Sequence, residues 1–256
     1  PSLDDVRLNL VEFLVNQGRS NEAVEIARDA MALKERDAEL RDRLGMVFSR
    51  SDRQREAVQM YRSALELEPT SARAVRVLDL LMSDSPPRTV EAENLLSLPR
   101  ITALIEEDGG LRLMRARVFH LQGRSDAALR ESVESYRALR PIARDMLVWF
   151  NFIQTMIDDR TATLEFLDRF SAEPGTSEWA RLFRGLLLIS SEDTRAEGQR
   201  VLEQHAATTA DSEVAFTAWR SLGTSAYEAE RYSDAVAAWE KASERRPNDA
   251  TVLNDM

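Results

Sequence analysis

The stretch LGMVFSRSDRQREAVQMYRSALELEP, residues 44–69, decides the fold, because WRSLGTSAYEAERYSDAVAAWEKASERRP, residues 219–247, repeats its spacing of small and large apolar positions. In the first, Leu44, Gly45, Phe48, Ala57, Tyr61, Ala64 and Pro69 follow at set offsets. In the second, Leu222, Gly223, Ala226, Ala235, Trp239, Ala242 and Pro247 fall at the same offsets. Working outward, Leu10 and Leu44, Ala23 and Ala57, and Ala30 and Ala64 each stand 34 residues apart. A fixed period of this length marks a stack of supersecondary units, each needing its neighbours to bury its apolar face.

Trp219, Leu222, Gly223, Ala226 and Tyr227 recur at three and four residues, which places them on one stripe of a helix. Gly223 and Ala235 leave room for two helices to approach closely, and Trp239 and Ala242 continue the stripe on the second helix. Glu230, Arg231 and Tyr232 make the turn, and Pro247 ends the second helix because it lacks an amide donor.

Trp219, Leu222, Gly223, Ala235, Trp239, Ala242 and Pro247 resemble the consensus of the tetratricopeptide repeat, with Tyr227 one place late and Ala226 where an aromatic is expected. The resemblance implies an all-α fold, a right-handed superhelix or α-solenoid of about seven antiparallel helix pairs, with first helices on the concave side. Residues 4–37 read as a degenerate first unit and 38–71 as a strong second one. Residues 72–82 begin a third unit, which breaks at Ser83-Asp-Ser-Pro-Pro87. Short helices are expected over 89–98, halted by Pro99, and over 101–107, ending at Gly109-Gly110. Residues 111–139 restore the pattern, with the Gly123-Arg124-Ser125 turn echoing Gly18-Arg19-Ser20. Residues 142–174 align through Trp149, Ile153, Ala162, Phe166 and Pro174, and 179–204 through Trp179, Leu182, Leu186 and Ala196. The domain reading is therefore N-terminal repeats over 1–84, an irregular insert over 85–110, and degenerate hairpins with a strong final repeat over 111–256. Leu253 and Met256 stand where Trp219 and Leu222 stand in the repeat before, so the chain either closes on a capping helix or is cut from a longer array. The absence of an initiator Met before Pro1 also fits a trimmed segment.

Composition narrows the function classes. The longest apolar runs, 146–150 and 185–189, fall far below the ~20 residues of a membrane span. A formal net charge of −10 repels phosphate backbones, so nucleic acid is not an expected partner. Cysteine is absent, which removes disulfides, thiolate catalysis and Cys-ligated metals. Lysine occurs only at Lys34 and Lys241 against many arginines, a bias read as GC-rich coding and a bacterial source.

Catalytic patterns are missing as well: no HExxH, Walker-type, Gly-x-Gly-x-x-Gly or Gly-x-Ser-x-Gly run occurs. The only histidines, His120 and His205, read as packing or surface residues. Glu106-Glu107-Asp108, Asp158-Asp159 and Glu192-Asp193 sit where helix ends and turns are expected and read as capping groups. Trp149, Phe150, Phe152, Trp179 and Phe183 have helical spacing and read as core rather than a ligand box. No catalytic residue, metal site or cofactor is expected.

Function is then expected on the concave face. The repeat register places Met46, Arg50, Arg73, Arg76, Arg117, His120, Arg220, Thr224 and Tyr227 there. Several arginines against an acidic background suit the carboxylates of an acidic peptide or chain terminus; the competing reading pairs them with Asp and Glu on adjacent helices. Some members of the family grip the terminal carboxylates of heat-shock chaperones with Lys, Asn and Arg on three first helices. The matching positions here hold Leu8, Glu12, Arg43, Arg73 and Val77, of which only Arg73 is of the right type. The expected function is a non-catalytic scaffold binding a peptide or protein partner; the alternative is a regulatory or targeting segment of a longer enzyme or of a secretion or assembly component.

Overall fold

The computed structural model describes residues 3–139, 142–173, 175–247, 249–250 and 252. They fall into two compact units, residues 1–138 and 139–256. The first holds α1 (Leu3–Asn16), α2 (Ser20–Leu33), α3 (Ala38–Arg50), α4 (Gln54–Leu67), α5 (Ser71–Ser83), α6 (Thr89–Leu96), α7 (Pro99–Glu107), α8 (Gly109–Leu121) and α9 (Ser125–Ala138). The second holds α10 (Ala143–Ile157), α11 (Arg160–Ser171), α12 (Ser177–Ile189), α13 (Arg195–Thr208), α14 (Ser212–Glu228) and α15 (Tyr232–Arg245), with a single 3₁₀ turn at Glu192–Thr194. No strand occurs among the described residues. Consecutive helices pair as hairpins, α1 with α2 through α14 with α15, and α5 with the shortened α6 makes the seventh pair. The expected Pro174, Leu253 and Met256 positions lie outside the described residues.

Close approach explains the small-large spacing. A Cβ on Gly45 would stand 2.7 Å from the Tyr61 ring, and one on Gly223 would stand 2.3 Å from Nε1 of Trp239. In each strong repeat the ring of the second helix therefore lies against bare backbone of the first, at a distance that leaves no room for a side chain. The helices end where the prolines demand: α4 stops before Pro69 and α15 before Pro247.

Four of the hairpin turns share one geometry. Gly18, Asp52, Gly123 and Glu230 all have positive φ, between 58° and 74°. The amide of the residue after each donates to a carbonyl five residues back: Arg19 to Leu14, Arg53 to Phe48, Arg124 to Phe119 and Arg231 to Ala226, all at 2.9 Å. This double-bonded C-cap satisfies the last carbonyls of the first helix. An arginine follows the left-handed residue in every case. At Arg19, Arg53 and Arg231 it pairs with the acid three residues on, Glu22, Glu56 or Asp234, in the first turn of the second helix. Arg88 does the same with Glu91 at the start of α6. Carboxylates are favourable there because the helix N-terminus carries partial positive charge.

The third pair departs from the pattern because α6 has eight residues where α2 and α4 have fourteen. Leu98 is extended and Pro99 opens α7 as its first residue, a position where the missing amide costs nothing. α7 ends at Glu107 as expected, but the glycines are not its stop: Asp108 accepts from the Leu111 amide at 2.9 Å, and both glycines belong to the first turn of α8. Similarly α14 begins at Ser212 because Asp211 caps it, accepting from the Glu213 and Val214 amides.

The cores differ in material. In the first unit aliphatic side chains fill the interior, with Leu44, Leu78, Leu81, Ile101, Ile105 and Leu111 buried. In the second a run of rings does so. Phe166 stacks on Phe170 at 5.4 Å, Phe170 on Trp149 at 5.4 Å, and Trp149 on Phe183 at 6.0 Å. Phe183 in turn stacks on Phe150 at 4.5 Å and meets Trp179 at 5.8 Å. Phe152 is buried too, so the aromatic set is core.

Candidate functional site

In the first unit the first helices of successive pairs, α1, α3, α5 and α8, are joined by ion pairs. Asp5 on α1 accepts from Arg43 on α3 at 2.8 Å. Asp42 on α3 accepts from Arg73 Nε on α5 at 2.6 Å and faces Arg76 Nη1 at 3.0 Å. Asp79 on α5 faces Arg117 on α8 at 3.9 Å. Leu8, Asp42 and Arg76 occupy one register position in three successive pairs. The position is thus apolar in the first pair, acidic in the second and basic in the third, and the last two meet.

Sequence-expected residues separate here into buried and presented groups. Arg73 is buried, where exposure had been expected. Its guanidinium is taken up by Asp42, by the Glu68 carboxylate at 2.8 Å and by the Glu68 carbonyl at 3.2 Å. Burial disfavours its charge, yet the hydrogen bonds to Asp42 and Glu68 hold its pKa above the ordinary range. Arg76 remains half in solvent and also lies 5.9 Å from the centre of the Tyr61 ring. Arg117 is similarly exposed and touches the Met114 sulfur at 3.7 Å. Its partner Asp79 has its carboxyl raised by partial burial, with Arg117 opposing the shift. Met46 and Arg50 are exposed on α3, and His120 is half-buried near the end of α8.

In the second unit Arg220 and Thr224 are exposed on α14, and the Thr224 hydroxyl donates to the Arg220 carbonyl at 3.2 Å. Tyr227 is exposed near the end of the same helix, 5.5 Å from the Tyr232 ring and 5.9 Å from Trp239. Of the five positions compared above, Leu8 and Val77 are buried, Arg43 and Arg73 are engaged by Asp5 and Asp42, and Glu12 is exposed.

Among the groups weighed for chemistry, His205, Asp108, Asp158 and Asp159 take structural positions. His205 is buried, and its Nε2 lies 2.7 Å from the Glu178 carbonyl, tying α13 to the start of α12. Asp108 and Asp159 cap α8 and α11, and Asp158 ends α10 in the left-handed conformation. Sequence reasoning missed Asp42, whose place in the helix stripe predicts an apolar residue. It also missed Arg41, which donates to the carbonyls of Lys34, Glu35 and Asp37 and so closes the turn after α2. An apolar groove of about 540 Å³ went unforeseen as well: it opens where α6 stops short, over Leu65, Leu95 and Ile101.

Helix hairpins of this length, stacked through a glycine-and-ring contact and joined along their first helices, define an all-helical repeat fold. Residues 38–71 match the family model of the tetratricopeptide repeat. No curated protein sequence matches it. Among solved structures, a tetratricopeptide repeat protein from Parabacteroides merdae is 14% identical, covers 98% of this chain and 96% of its own, and has a TM-score of 0.46. The C-terminal part of a TPR repeat-containing protein from Cytophaga hutchinsonii is 12% identical, with 97% and 99% covered and a TM-score of 0.41. YrrB, described as a TPR protein with an unusual peptide-binding site, is 15% identical, with 89% and 96% covered and a TM-score of 0.36.

Proposed function

We propose that the chain is a non-catalytic scaffold that binds a protein or peptide partner on the face built by its first helices, the concave face of the fold it resembles. The observation that carries this reading is the half-satisfied state of the arginines in the first unit. Arg76 and Arg117 keep much of their side chains in solvent, Arg76 at 3.0 Å from Asp42 and Arg117 facing Asp79 at 3.9 Å, and Arg50 stands exposed one turn from Met46. A guanidinium has five donors in a fixed fork, so one bound carboxylate orients it and leaves donors for a second. Pre-ordering of this kind lowers the entropy lost when an acidic partner docks. Met46 supplies adaptable apolar contact next to the charges. On the second unit Arg220, Thr224 and Tyr227 offer the same mixture of cation, hydroxyl and ring.

The test is the triple substitution Arg50→Ala, Arg76→Ala, Arg117→Ala, with recovery of native partners on immobilised wild-type and variant chains compared. Capture should fall while far-UV circular dichroism stays unchanged. Equal capture by the variant would sink the assignment of these arginines. Arg73 is left out because its buried guanidinium belongs to the stack.

A further inference from the structure

A different set of unengaged groups surrounds the apolar groove where α6 stops short. The groove takes its lining from α4, α6, α7 and the residues that end them, and from none of the ion-paired first helices. Leu65, Leu95 and Ile101 form its floor and are buried, while Leu98 beside them is 49% exposed. The sequence accounts for the opening: α6 has eight residues where α4 has fourteen, and Pro99 starts a new helix before α6 matches α4 in length. A cleft of about 540 Å³ with an apolar body and a few polar groups at its edge has the size and make-up of a small-ligand site.

The polar groups identify the occupant. Of the four charged side chains that line the groove, Arg62 and Glu91 hold each other at 2.9 Å. The other two, Glu66 and Arg100, are exposed and make no ion pair or hydrogen bond among the described residues, with each other or with any neighbour. Asn94 is exposed as well; its backbone carbonyl accepts from the Ser97 hydroxyl, but its side-chain amide is unengaged. An acid, an amide with both donor and acceptor, and a guanidinium therefore border an apolar floor. A short apolar peptide with free ends presents the matching set: an ammonium for Glu66, a peptide bond for Asn94, a terminal carboxylate for the fork of Arg100, and apolar side chains for Leu65, Leu95 and Ile101. A fatty acid would leave Glu66 without a cation, and an apolar amine would leave Arg100 without an anion. We propose that this groove binds a short apolar peptide through both of its free termini. The site is independent of the first-helix face proposed above.

Isothermal titration calorimetry of the full chain with trileucine tests this. One saturable site is expected, and trialanine should bind about tenfold more weakly or worse because it buries less apolar surface. Acetylating the trileucine amine, or converting its carboxylate to an amide, should each weaken binding about fivefold, the upper end for an exposed charge pair. Glu66→Gln should weaken the free peptide by the same factor and leave the acetylated one unchanged; Arg100→Ala should do likewise for the free acid and the amide. Both substitutions lie on exposed helix positions, and circular dichroism checks that the chain stays helical. The capped peptides probe the wild-type chain directly, so the outcome does not depend on either variant. Absence of saturable trileucine binding, capped peptides that bind as tightly as the free one, or variants that weaken capped and free peptides alike would each overturn the proposal. So would dodecylphosphocholine, a zwitterion without a peptide bond, binding as tightly as trileucine.

Discussion

Both units are built from the same hairpins, but their first helices are joined by different chemistry. In the first unit carboxylates and guanidiniums cross from α1 to α3, from α3 to α5 and from α5 to α8. In the second, α10 meets α12 through stacked rings, Trp149 and Phe150 against Phe183. Stacked rings bury large apolar areas and tolerate little change in shape. Buried ion pairs contribute less net stability, since desolvation offsets much of their attraction, but those nearer the surface leave polar donors available. The first unit thus joins its first helices through charge and the second through ring packing.

Trp149→Ala should break the comparison most severely if the ring stack holds the second unit. It removes the ring shared by Phe166, Phe170 and Phe183 and should cost about 3–5 kcal/mol. All four tryptophans lie in residues 139–256, so the remaining three report urea unfolding of that unit alone. A loss below about 1 kcal/mol would show that the rings are not the main support.

Asp42→Leu is the counterpart in the first unit. It places the residue type of Leu8 at the equivalent position, yet it removes the buried carboxylate of Arg73 and leaves that guanidinium with Glu68 alone, and should cost about 3 kcal/mol. The double variant Asp42→Leu with Arg73→Met should recover much of that loss, because apolar residues of similar volume replace buried pairs well. Circular dichroism in urea reads both. If the double variant is as unstable as the single one, Arg73 matters for more than its pairing with Asp42.

Glycine substitutions sharpen the comparison between the two strong repeats. Gly223→Ala drives a methyl group to 2.3 Å from Trp239, which Tyr227 holds from the side; Gly45→Ala meets Tyr61 at 2.7 Å. Both fall in the range of about 1–3 kcal/mol for overpacking, with Gly223 the larger. Equal thermal shifts would mean that Trp239 moves as freely as Tyr61.

These contacts explain what the sequence discloses. Gly45 with Tyr61 and Gly223 with Trp239 are legible because close approach restricts both members to few residue types, and Pro69, Pro99 and Pro247 are legible because they cannot continue a helix. Cross-helix ion pairs are not legible in this way, since Asp42 could face any of several arginines at helical spacing and only the packed stack selects Arg73 and Arg76. Arg73 reads as a surface residue from its type, and its burial follows from a partner one repeat away. The Gly109-Gly110 pair misleads because glycine ends helices more often than it begins them, and the Asp108 side chain reverses that preference. The arginine-to-acid pairs at the start of α2, α4, α6 and α15 are a legible signal of a different kind, periodic in charge rather than in hydrophobicity.

The smallest expected effect concerns those pairs. Arg88 donates two hydrogen bonds of 2.7 Å to Glu91, and Arg62 adds a third of 2.9 Å. The hydrogen bonds from Arg88, reinforced by the charges of both arginines and opposed by burial, hold the Glu91 carboxyl below the ordinary range. Glu22, Glu56 and Glu93 are lowered in the same direction, by Arg19, by Arg53, and by Gln122 with Arg124. A carboxyl with a folded-state pKa below its unfolded value adds stability above the unfolded pKa, about 4.3 for Glu, and loses it as the pH falls through the folded value. The first unit should therefore weaken on acidification below about pH 4, and Glu91→Gln should flatten part of that dependence while changing neutral-pH stability by about 0.5 kcal/mol or less. Amide hydrogen exchange in α4 and α6, measured at neutral and acid pH, checks it. An acid response of Glu91→Gln identical to that of the wild type would leave these pairs without a role in the stability of the first unit.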